Sequence, residues 1–289
     1  MRISRGACLS NFIFGIAVAS GCIFASPNLR AASVWRVSGP GGGELFLGGS
    51  VHALAASDYP LPPAYKRALD ASRYLVFEVN PKEFAGAGKG LLKAAEYPKG
   101  DSLKNHVDPR TYDYLRRFFK ALSVTESKFS KFRPWCLAFM LEAPQLHGLS
   151  ADLGVEGFLT KQAKSKPISG LESLNDSIRR YSGLTDQQGE TMLLLQFIPG
   201  EPGSFSKIKE AWREGDSETV WRITNQAFRD VPSIRAREIT GRNHNWVPQI
   251  EHFLESGNKY FVVVGAAHMG GPDGLLALLR QRGCRIEQL

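Results

Sequence analysis

The chain has 289 residues, of which 43% are hydrophobic and 22% charged, so it can bury a substantial core and falls outside the disordered and fibrous classes. Glycine and proline are close to average usage, and no repeat of 20–50 residues recurs, which excludes collagen-like, solenoid and propeller proteins. The formal net charge of +8 is compatible with a nucleic-acid partner, with an anionic membrane surface, or with a chain that is simply basic.

The first element along the chain is a short apolar run over residues 11–25, preceded by Arg2 and Arg5 and ending in small residues. This arrangement predicts a signal peptide over residues 1–25 and an exported protein, periplasmic or secreted. Two alternatives stay open: the run is retained as an anchor, or Cys22 is lipidated after the sequence Ala19-Ser20-Gly21. Two cysteines then remain, Cys136 and Cys284, either as a disulfide or as two buried thiols.

The rest of the chain alternates strand and helix patterns. Period-two and continuous apolar runs predict strands, and apolar residues at three- and four-residue spacing predict helices. Strands are predicted at residues 34–37, 44–47, 74–77, 167–171, 260–264 and 285–287. Helices are predicted at residues 61–71, 109–122, 131–146, 155–164, 175–181, 186–198, 205–213, 217–228, 233–255 and 272–282, and the stretch 84–90 is the most loop-like.

Four of the predicted strands run into an ionisable residue. These residues are His52, Glu78, Glu172 and His268. In open α/β sheets functional groups gather beyond the carboxyl ends of strands, because loops there present polar atoms from a rigid base. Both histidines lie in a Gly-x-x-His motif, and the glycine permits a sharp turn that would hold both imidazoles in similar geometry. The order His, Glu, Glu, His suggests two related halves that meet at one site.

Two chemistries suit these residues. Two imidazoles and a carboxylate can hold a first-row transition metal with an open position, which lowers the pKa of a bound water. A histidine and a carboxylate can also act as a general base on water without a metal. The spacing alone does not choose between them. A lone histidine after a strand is more often a structural polar residue than a ligand, and Glu78 and Glu172 are equally typical of helix caps or surface carboxylates.

Other candidate signatures are absent or weak. There is no His-Glu-x-x-His helix, the glycines at 86–90 lack the spacing of a phosphate-binding loop, and Ser50 is not in a Gly-x-Ser-x-Gly elbow. Basic pairs such as Arg179-Arg180 alternate with acidic residues on helices, which favours a solvated surface and no nucleic-acid partner. The remaining histidines share no pattern, which favours solvated or capping roles for His106, His147, His244 and His252.

From about Leu45 to the C-terminus the sequence resembles the TraB/GumN family, whose animal relatives include the TIKI proteases. The resemblance rests on an ordered series of short motifs. They are Leu45-Phe46-Leu47-Gly48-Gly49-Ser50-Val51-His52, Asp58-Tyr59-Pro60-Leu61-Pro62, Phe77-Glu78-Val79-Asn80, Gly154-Val155-Glu156, Gly170-Leu171-Glu172, Arg242-Asn243 and Val263-Val264-Gly265-Ala266-Ala267-His268. Gly49-Ser50 stands where Gly-Thr is usual, and Asn80 where Asp is common.

The resemblance implies an α/β fold like that of the erythromycin-esterase/ChaN-like group: two αββα halves, a central mixed sheet surrounded by helices, and a site at the strand ends between the halves. It implies one catalytic domain over residues 26–289 and metal-dependent hydrolysis of peptide bonds, with manganese or cobalt. Carried over by position, the implied site residues are His52, Glu78, Glu156, Glu172, Arg242, Asn243 and His268. The Arg-Asn pair would stabilise an oxyanion or orient a carboxylate.

The leading hypothesis from the sequence is therefore an exported metal-dependent protease, with a divalent metal held by His52, Glu78 and His268. Manganese or cobalt follows from the resemblance, and zinc also suits the ligands. The expected partner is a peptide or protein substrate; a membrane would enter only through a lipid at Cys22 or an uncleaved leader. Two alternatives stay open, a non-catalytic envelope protein that binds a peptide or polysaccharide, and a metal-free His/Glu esterase-type hydrolase.

Overall fold

A six-stranded mixed sheet lies at the centre of the computed structural model, which describes residues 31–84, 87–142, 148–198, 203–229 and 231–289. The strands are β1 Val34–Ser38, β2 Glu44–Ser50, β3 Tyr74–Val79, β4 Ile168–Glu172, β5 Tyr260–Gly265 and β6 Arg285–Gln288. Their order in the sheet is β4-β3-β5-β2-β1-β6. The predicted class, a mixed α/β fold with a central sheet surrounded by helices, is confirmed. The leader predicted over residues 1–25, with Cys22, lies outside the described residues.

Strand direction determines where the polar strand ends lie. β4, β3, β5 and β2 are mutually parallel, and β1 is antiparallel to both of its neighbours, β2 and β6. The carboxyl ends of β2, β3, β4 and β5 therefore lie along one edge of the sheet. These four ends are the ones that carry or precede His52, Glu78, Glu172 and His268.

The central strands are apolar on both faces because helices cover the sheet on both sides. Successive side chains of β5 alternate between two cores: Phe261 and Val263 join one, and Val262 and Val264 join the other. All four are fully buried. Burial of this kind contributes about 25 cal/mol per Å² of apolar area, so the middle of the sheet forms the rigid base on which the strand ends are mounted.

The helices that surround the sheet are α1 Pro63–Ala71, α2 Gly88–Ala95, α3 Pro109–Ala121, α4 Glu126–Phe129, α5 Pro134–Glu142, α6 Val155–Gln162, α7 Leu174–Ser182, α8 Asp186–Leu195, α9 Ser204–Glu214, α10 Ser217–Ala227, α11 Pro232–Arg235, α12 Gly241–Glu255 and α13 Leu275–Gln281. A third apolar cluster, built mainly from residues 95–138, packs α3, α4 and α5 together with α8. No helix in the described ranges combines the length and apolar content needed to cross a bilayer.

Three predicted elements differ from the structure. The helix predicted at 131–146 begins only at Pro134, whose fixed φ suits a first helical position, and it is preceded by the short α4. The helix predicted at 233–255 is divided into α11, a π-helical stretch Ala236–Thr240 and α12. The loop predicted at 84–90 is partly helical, because Pro81–Phe84 forms a 3-10 turn and α2 begins at Gly88.

The two cysteines in the described part of the chain are both free thiols. Cys136 packs against the third cluster, whereas Cys284 lies in the core on the α12–α13 side of the sheet. Burial raises the pKa of the Cys136 thiol to about 11, so this thiol stays protonated near neutral pH. The sequence left a disulfide and two thiols as alternatives, and in the structure Cys136 and Cys284 are thiols.

Candidate active site

The seven site residues implied by the sequence lie together at the carboxyl edge of the sheet, in two adjoining hydrogen-bonded groups. The first group is organised by Arg242, in the first turn of α12, and the second by Glu156, in the first turn of α6. Parallel strands bring the ends with His52, Glu78, Glu172 and His268 to one edge, and the two helix starts add the other three side chains. The convergence thus follows from the order of the sheet.

Arg242 is the centre of the first group. Its guanidinium donates to Glu78 Oε2 through Nη2, and to Glu172 through Nη2 to Oε1 at 2.6 Å and Nε to Oε2 at 3.3 Å. It also lies 4.5 Å over the ring of Trp246, a favourable cation–π position. The side chain is only 10% exposed. Of the two roles implied for the Arg-Asn pair, the contacts of Arg242 correspond to orienting carboxylates, because the guanidinium is already occupied by two of them.

His268 belongs to the same group and is 4% exposed. Asn243 Nδ2 donates to the carbonyls of Asp273 at 2.7 Å and His268 at 3.3 Å, which turns Asn243 Oδ1 toward His268 Nδ1 at 2.7 Å. Nδ1 therefore carries the proton, and Nε2 accepts from Arg242 Nη1 at 3.3 Å. The ring also packs 4.7 Å from Trp246. Asn243 thus fixes the tautomer and orientation of His268.

His52 organises the exposed side of the site. Its Nδ1 lies 2.8 Å from Glu156 Oε1, and Ser50 Oγ donates to the same oxygen at 2.5 Å. The side chain of His52 is 66% exposed, whereas that of Glu156 is 21% exposed. A largely buried carboxylate thus holds an imidazole that solvent can reach, and no described residue forms a hydrogen bond with the other ring nitrogen, Nε2.

Gly265, at the end of β5, allows the two groups to meet. A Cβ atom at this position would lie 3.3 Å from Glu78 Oε1, 3.3 Å from His52 Nε2 and 3.6 Å from His268 Cδ2. The backbone N–H of Gly265 also donates to Glu78 Oε1 at 2.7 Å. The glycine of this Gly-x-x-His motif is therefore needed for close approach of side chains from three strand ends.

Charge and burial shift the pKa values of the site residues in different directions. The charge of Glu156 raises the pKa of His52 from its usual value near 6.5 to about 9, against the opposing effect of burial. Burial lowers the pKa of His268 to about 3, and the charge of Arg242 adds to the effect. Burial opposes ionisation of Glu78, but Arg242 and the two histidines outweigh it, so the pKa of Glu78 lies well below its usual range.

Some residues of the site are missed by the sequence analysis. Arg180 in α7, interpreted there as solvated surface, is 12% exposed; it donates to Glu172 Oε1 at 3.0 Å and to Glu238 Oε2 at 3.2 Å. Tyr181 donates to the same oxygen of Glu238 at 3.0 Å. The acidic residues four and eight positions before Arg180 do not show from the sequence whether its side chain is buried or exposed. Ser50 was missed as well, although its position inside the Gly-x-x-His motif could have indicated it.

The other histidines lie outside these two groups. His106 is bonded on both ring nitrogens, with Nε2 2.8 Å from Asp101 and Nδ1 3.0 Å from Asp186, and it stacks on Tyr97 at 4.3 Å. Its role is therefore structural. His244 and His252 are exposed on α12. His147 lies outside the described residues.

The residues predicted to hold a metal fit in chemical type but not in their arrangement. Two imidazoles and a carboxylate suit a divalent transition metal. However, the guanidinium of Arg242 is bonded to Glu78 and lies 3.3 Å from His268 Nε2, so a cation already occupies lone pairs of two of the three donors. Within the described ranges, no three His, Cys, Asp or Glu side chains converge as metal ligands. The reaction below is therefore derived without a metal, and the metal stays a prediction.

Fold and site together define the class of the protein. The chain belongs to the TraB/PrgY/gumN family, whose model matches residues 33–288. The chain is also similar to the uncharacterized protein YbaP of Escherichia coli (strain K12), with 24% identity over 251 residues that cover 83% of this chain and 89% of YbaP. YbaP of Shigella flexneri, likewise uncharacterized, matches with the same identity and coverage. No solved structure matches the chain.

Proposed function

We propose that the protein is a hydrolase of peptide bonds in which His52 activates water. The observation that carries the proposal is the pairing of a solvent-accessible imidazole with a largely buried carboxylate, His52 Nδ1 to Glu156 Oε1 at 2.8 Å, beside the ionised Glu78. A base that is oriented by a carboxylate and free at its second nitrogen is the arrangement that general-base catalysis requires.

The proton transfers follow from these contacts. His52 Nε2, in the neutral form whose share rises as the pH approaches its pKa of about 9, takes a proton from water as the water oxygen bonds to the substrate carbonyl carbon, and Glu156 stabilises the imidazolium that forms. Glu78 Oε1, close to His52 Nε2 across Gly265, accepts a hydrogen bond from the second water proton and orients the attack. The imidazolium then returns its proton to the leaving amine as the carbon–nitrogen bond breaks. Arg242 keeps Glu78 ionised throughout.

Support for a peptide substrate is of a different kind. Membership of the family is established by the match over residues 33–288, and peptide hydrolysis is what the resemblance to the TIKI branch implies. Export rests on the apolar run over residues 11–25. We propose both on those grounds, and fractionation of producing cells would test export directly: recovery of unprocessed chain in the cytoplasm alone would contradict it.

Cleavage of a peptide library in chelator, and after addition of Mn²⁺, Co²⁺ or Zn²⁺, tests the activity. We expect cleavage that persists in chelator and falls at least about a hundredfold in His52→Gln and in Glu156→Gln. His252→Gln, an exposed histidine of α12, is the matched control and should cleave as the parent protein does. Undiminished cleavage by His52→Gln would refute the proposed base.

A metal-dependent form of the same hydrolysis is the second candidate; it rests on the resemblance to the TIKI branch and on the chemical type of His52, Glu78 and His268, not on their arrangement. A metal there would supply a water of lowered pKa. Cleavage that stops in chelator and returns with one added metal would establish this form. Peptide binding without turnover under every condition would instead identify a non-catalytic binding protein.

A further inference from the structure

A small pocket between α5 and α7 lies outside the site described above. Aromatic rings of Tyr97, Trp135 and Tyr181 line it, together with Arg133 and Asp186. The cavity volume is about 10 Å³, which is enough for one oxygen atom of a ligand. Trp135 stacks 5.8 Å from Tyr181, and Arg133 lies 4.8 Å over Tyr97, so the walls are held in place by one another.

Two hydrogen-bond donors on residues that line this pocket have no acceptor in the described part of the chain. Trp135 is 4% exposed, and its indole N–H is buried without a hydrogen bond; the same holds for Nε of Arg133. Among the described residues, no carboxylate forms an ion pair with the Arg133 guanidinium. Buried donors that lack an acceptor cost about 1–3 kcal/mol each, so both would gain from an acceptor supplied by a ligand.

The one carboxylate in the pocket does not meet this need. Both oxygens of Asp186 lie 3.0 Å from His106 Nδ1, and His106 Nε2 is bonded to Asp101. Asp186 is therefore directed to His106, and among the described residues no carboxylate is bonded to Arg133. A guanidinium without a bonded carboxylate among the described residues, two free N–H donors and aromatic walls together suit a planar anion with carbon attached.

We propose that this pocket binds the carboxylate group of an organic acid, through Arg133 and the indole N–H of Trp135. Because only one oxygen fits inside, the rest of the ligand lies at the mouth of the pocket. A free small acid and the C-terminal carboxylate of a peptide present the same chemistry there. The proposal does not depend on hydrolysis at His52.

Calorimetric titration of the full chain tests the proposal with three probes: 3-phenylpropionate, an N-acetylated tripeptide that ends in phenylalanine with a free carboxylate, and the same tripeptide as its C-terminal amide. The His52→Gln variant serves as host, so that cleavage cannot consume the peptides. We expect the acid peptide to bind at least about tenfold more tightly than the amide, since charge-assisted hydrogen bonds are the strong ones. Equal binding of 3-phenylpropionate would identify a small acid as the ligand, and weaker binding a peptide terminus.

Variants assign the binding to the two donors. In the same host, Arg133→Gln should weaken binding of the acid at least about tenfold and Arg133→Lys less, and Trp135→Phe, which removes the N–H and keeps a smaller aromatic ring, about fivefold. Arg117→Gln, which removes an exposed guanidinium of α3, is the matched control and should bind as the host does. No binding of either acid, equal binding of acid and amide, or full binding by Arg133→Gln that melts as the host does would overturn the proposal.

Discussion

The two Gly-x-x-His strand ends share a sequence pattern and differ in almost every physical property. His52, after β2, is largely exposed and has a carboxylate as its partner. His268, after β5, is 4% exposed, packs beside Trp246 and has an arginine and an asparagine as its partners. Accordingly the pKa of the first is raised and that of the second is lowered.

This difference shows that the role of a strand-end histidine is determined by the helix that begins beside it. The first turn of α6 brings Glu156 to His52, and the first turn of α12 brings Arg242 and Asn243 to His268. An anion stabilises the imidazolium form and a cation destabilises it. One imidazole is therefore suited to gain and lose a proton, while the other stays neutral and supports the charge network.

Removal of the cation at the His268 end should have the largest effect. Arg242→Met leaves Glu78 and Glu172 without their shared partner in a region that is mostly buried, and we expect a loss of about 3–5 kcal/mol in the free energy of unfolding. Urea denaturation measures it. Arg117→Met, at an exposed guanidinium, should change stability by no more than about 0.5 kcal/mol. Equal losses in the two variants would mean that Arg242 does not hold the site together.

Truncation of each histidine compares the two ends directly. His268→Ala leaves a cavity beside Trp246 and unpairs Asn243 Oδ1, so we expect a loss of about 2–4 kcal/mol. His52→Ala removes an exposed side chain whose place water can take, and should cost about 1 kcal/mol or less. Thermal or urea denaturation of both variants in one buffer tests this. A larger loss in His52→Ala would reverse the structural assignment of the two residues.

Substitution of Ser50 tests whether its hydroxyl stabilises the Glu156 carboxylate beside His52. Ser50→Ala deletes the hydrogen bond to Glu156 Oε1 and should lower the free energy of unfolding by about 1 kcal/mol. Ser50→Thr keeps the hydroxyl on a strand residue and should restore the loss to within about 0.5 kcal/mol. If the alanine and threonine variants are equally stable, the hydroxyl does not support Glu156.

The smallest expected effect is on the pH dependence of stability, in which the two ends act in separate ranges. The pKa of His52 is raised to about 9, so its stabilising contribution is complete below about pH 6.5 and is lost as the pH rises through 9. The pKa of His268 is lowered to about 3, so this residue decreases the stability only as the pH falls below 6.5. In that range the unfolded chain takes up a proton that the folded chain does not.

His52→Gln should therefore flatten the stability curve between pH 6.5 and 9, by less than about 1 kcal/mol because the His52 side chain is largely exposed, and leave the acid range unchanged. Imidazole chemical shifts followed by NMR in metal-free buffer measure the two residues separately. Titration of both rings near pH 6.5 would contradict the difference in their surroundings.

The sequence predicts much of this arrangement for an identifiable reason. Parallel strands must bring their carboxyl ends to one edge, so His52, Glu78, Glu172 and His268 could be grouped from strand patterns alone. The family motifs added Glu156, Arg242 and Asn243. Neither source predicts that Arg242 lies between Glu78 and His268, because the rotation of α12 about its axis depends on packing against the sheet.

Burial was the property that sequence patterns described least well. Arg179 and Arg180 are adjacent in α7, yet one is exposed and the other joins the site, because successive helical residues point about 100° apart. The bounds near residues 131–146 were wrong for a related reason. An apolar run indicates a buried segment, but it does not show where a proline starts the helix.

The π-helical stretch Ala236–Thr240 has a consequence for insertions and deletions in this part of the chain. Each residue added to or removed from a helix turns everything beyond it by about 100°. The wide turn accommodates one residue more than an α-helical turn, so loss of one residue here is absorbed, whereas a return to ordinary α-helical geometry with no residue lost would point Arg242 away from Glu78 and Glu172, although every site residue would still be present. The length of this turn is thus as much a part of the site as the residues that line it.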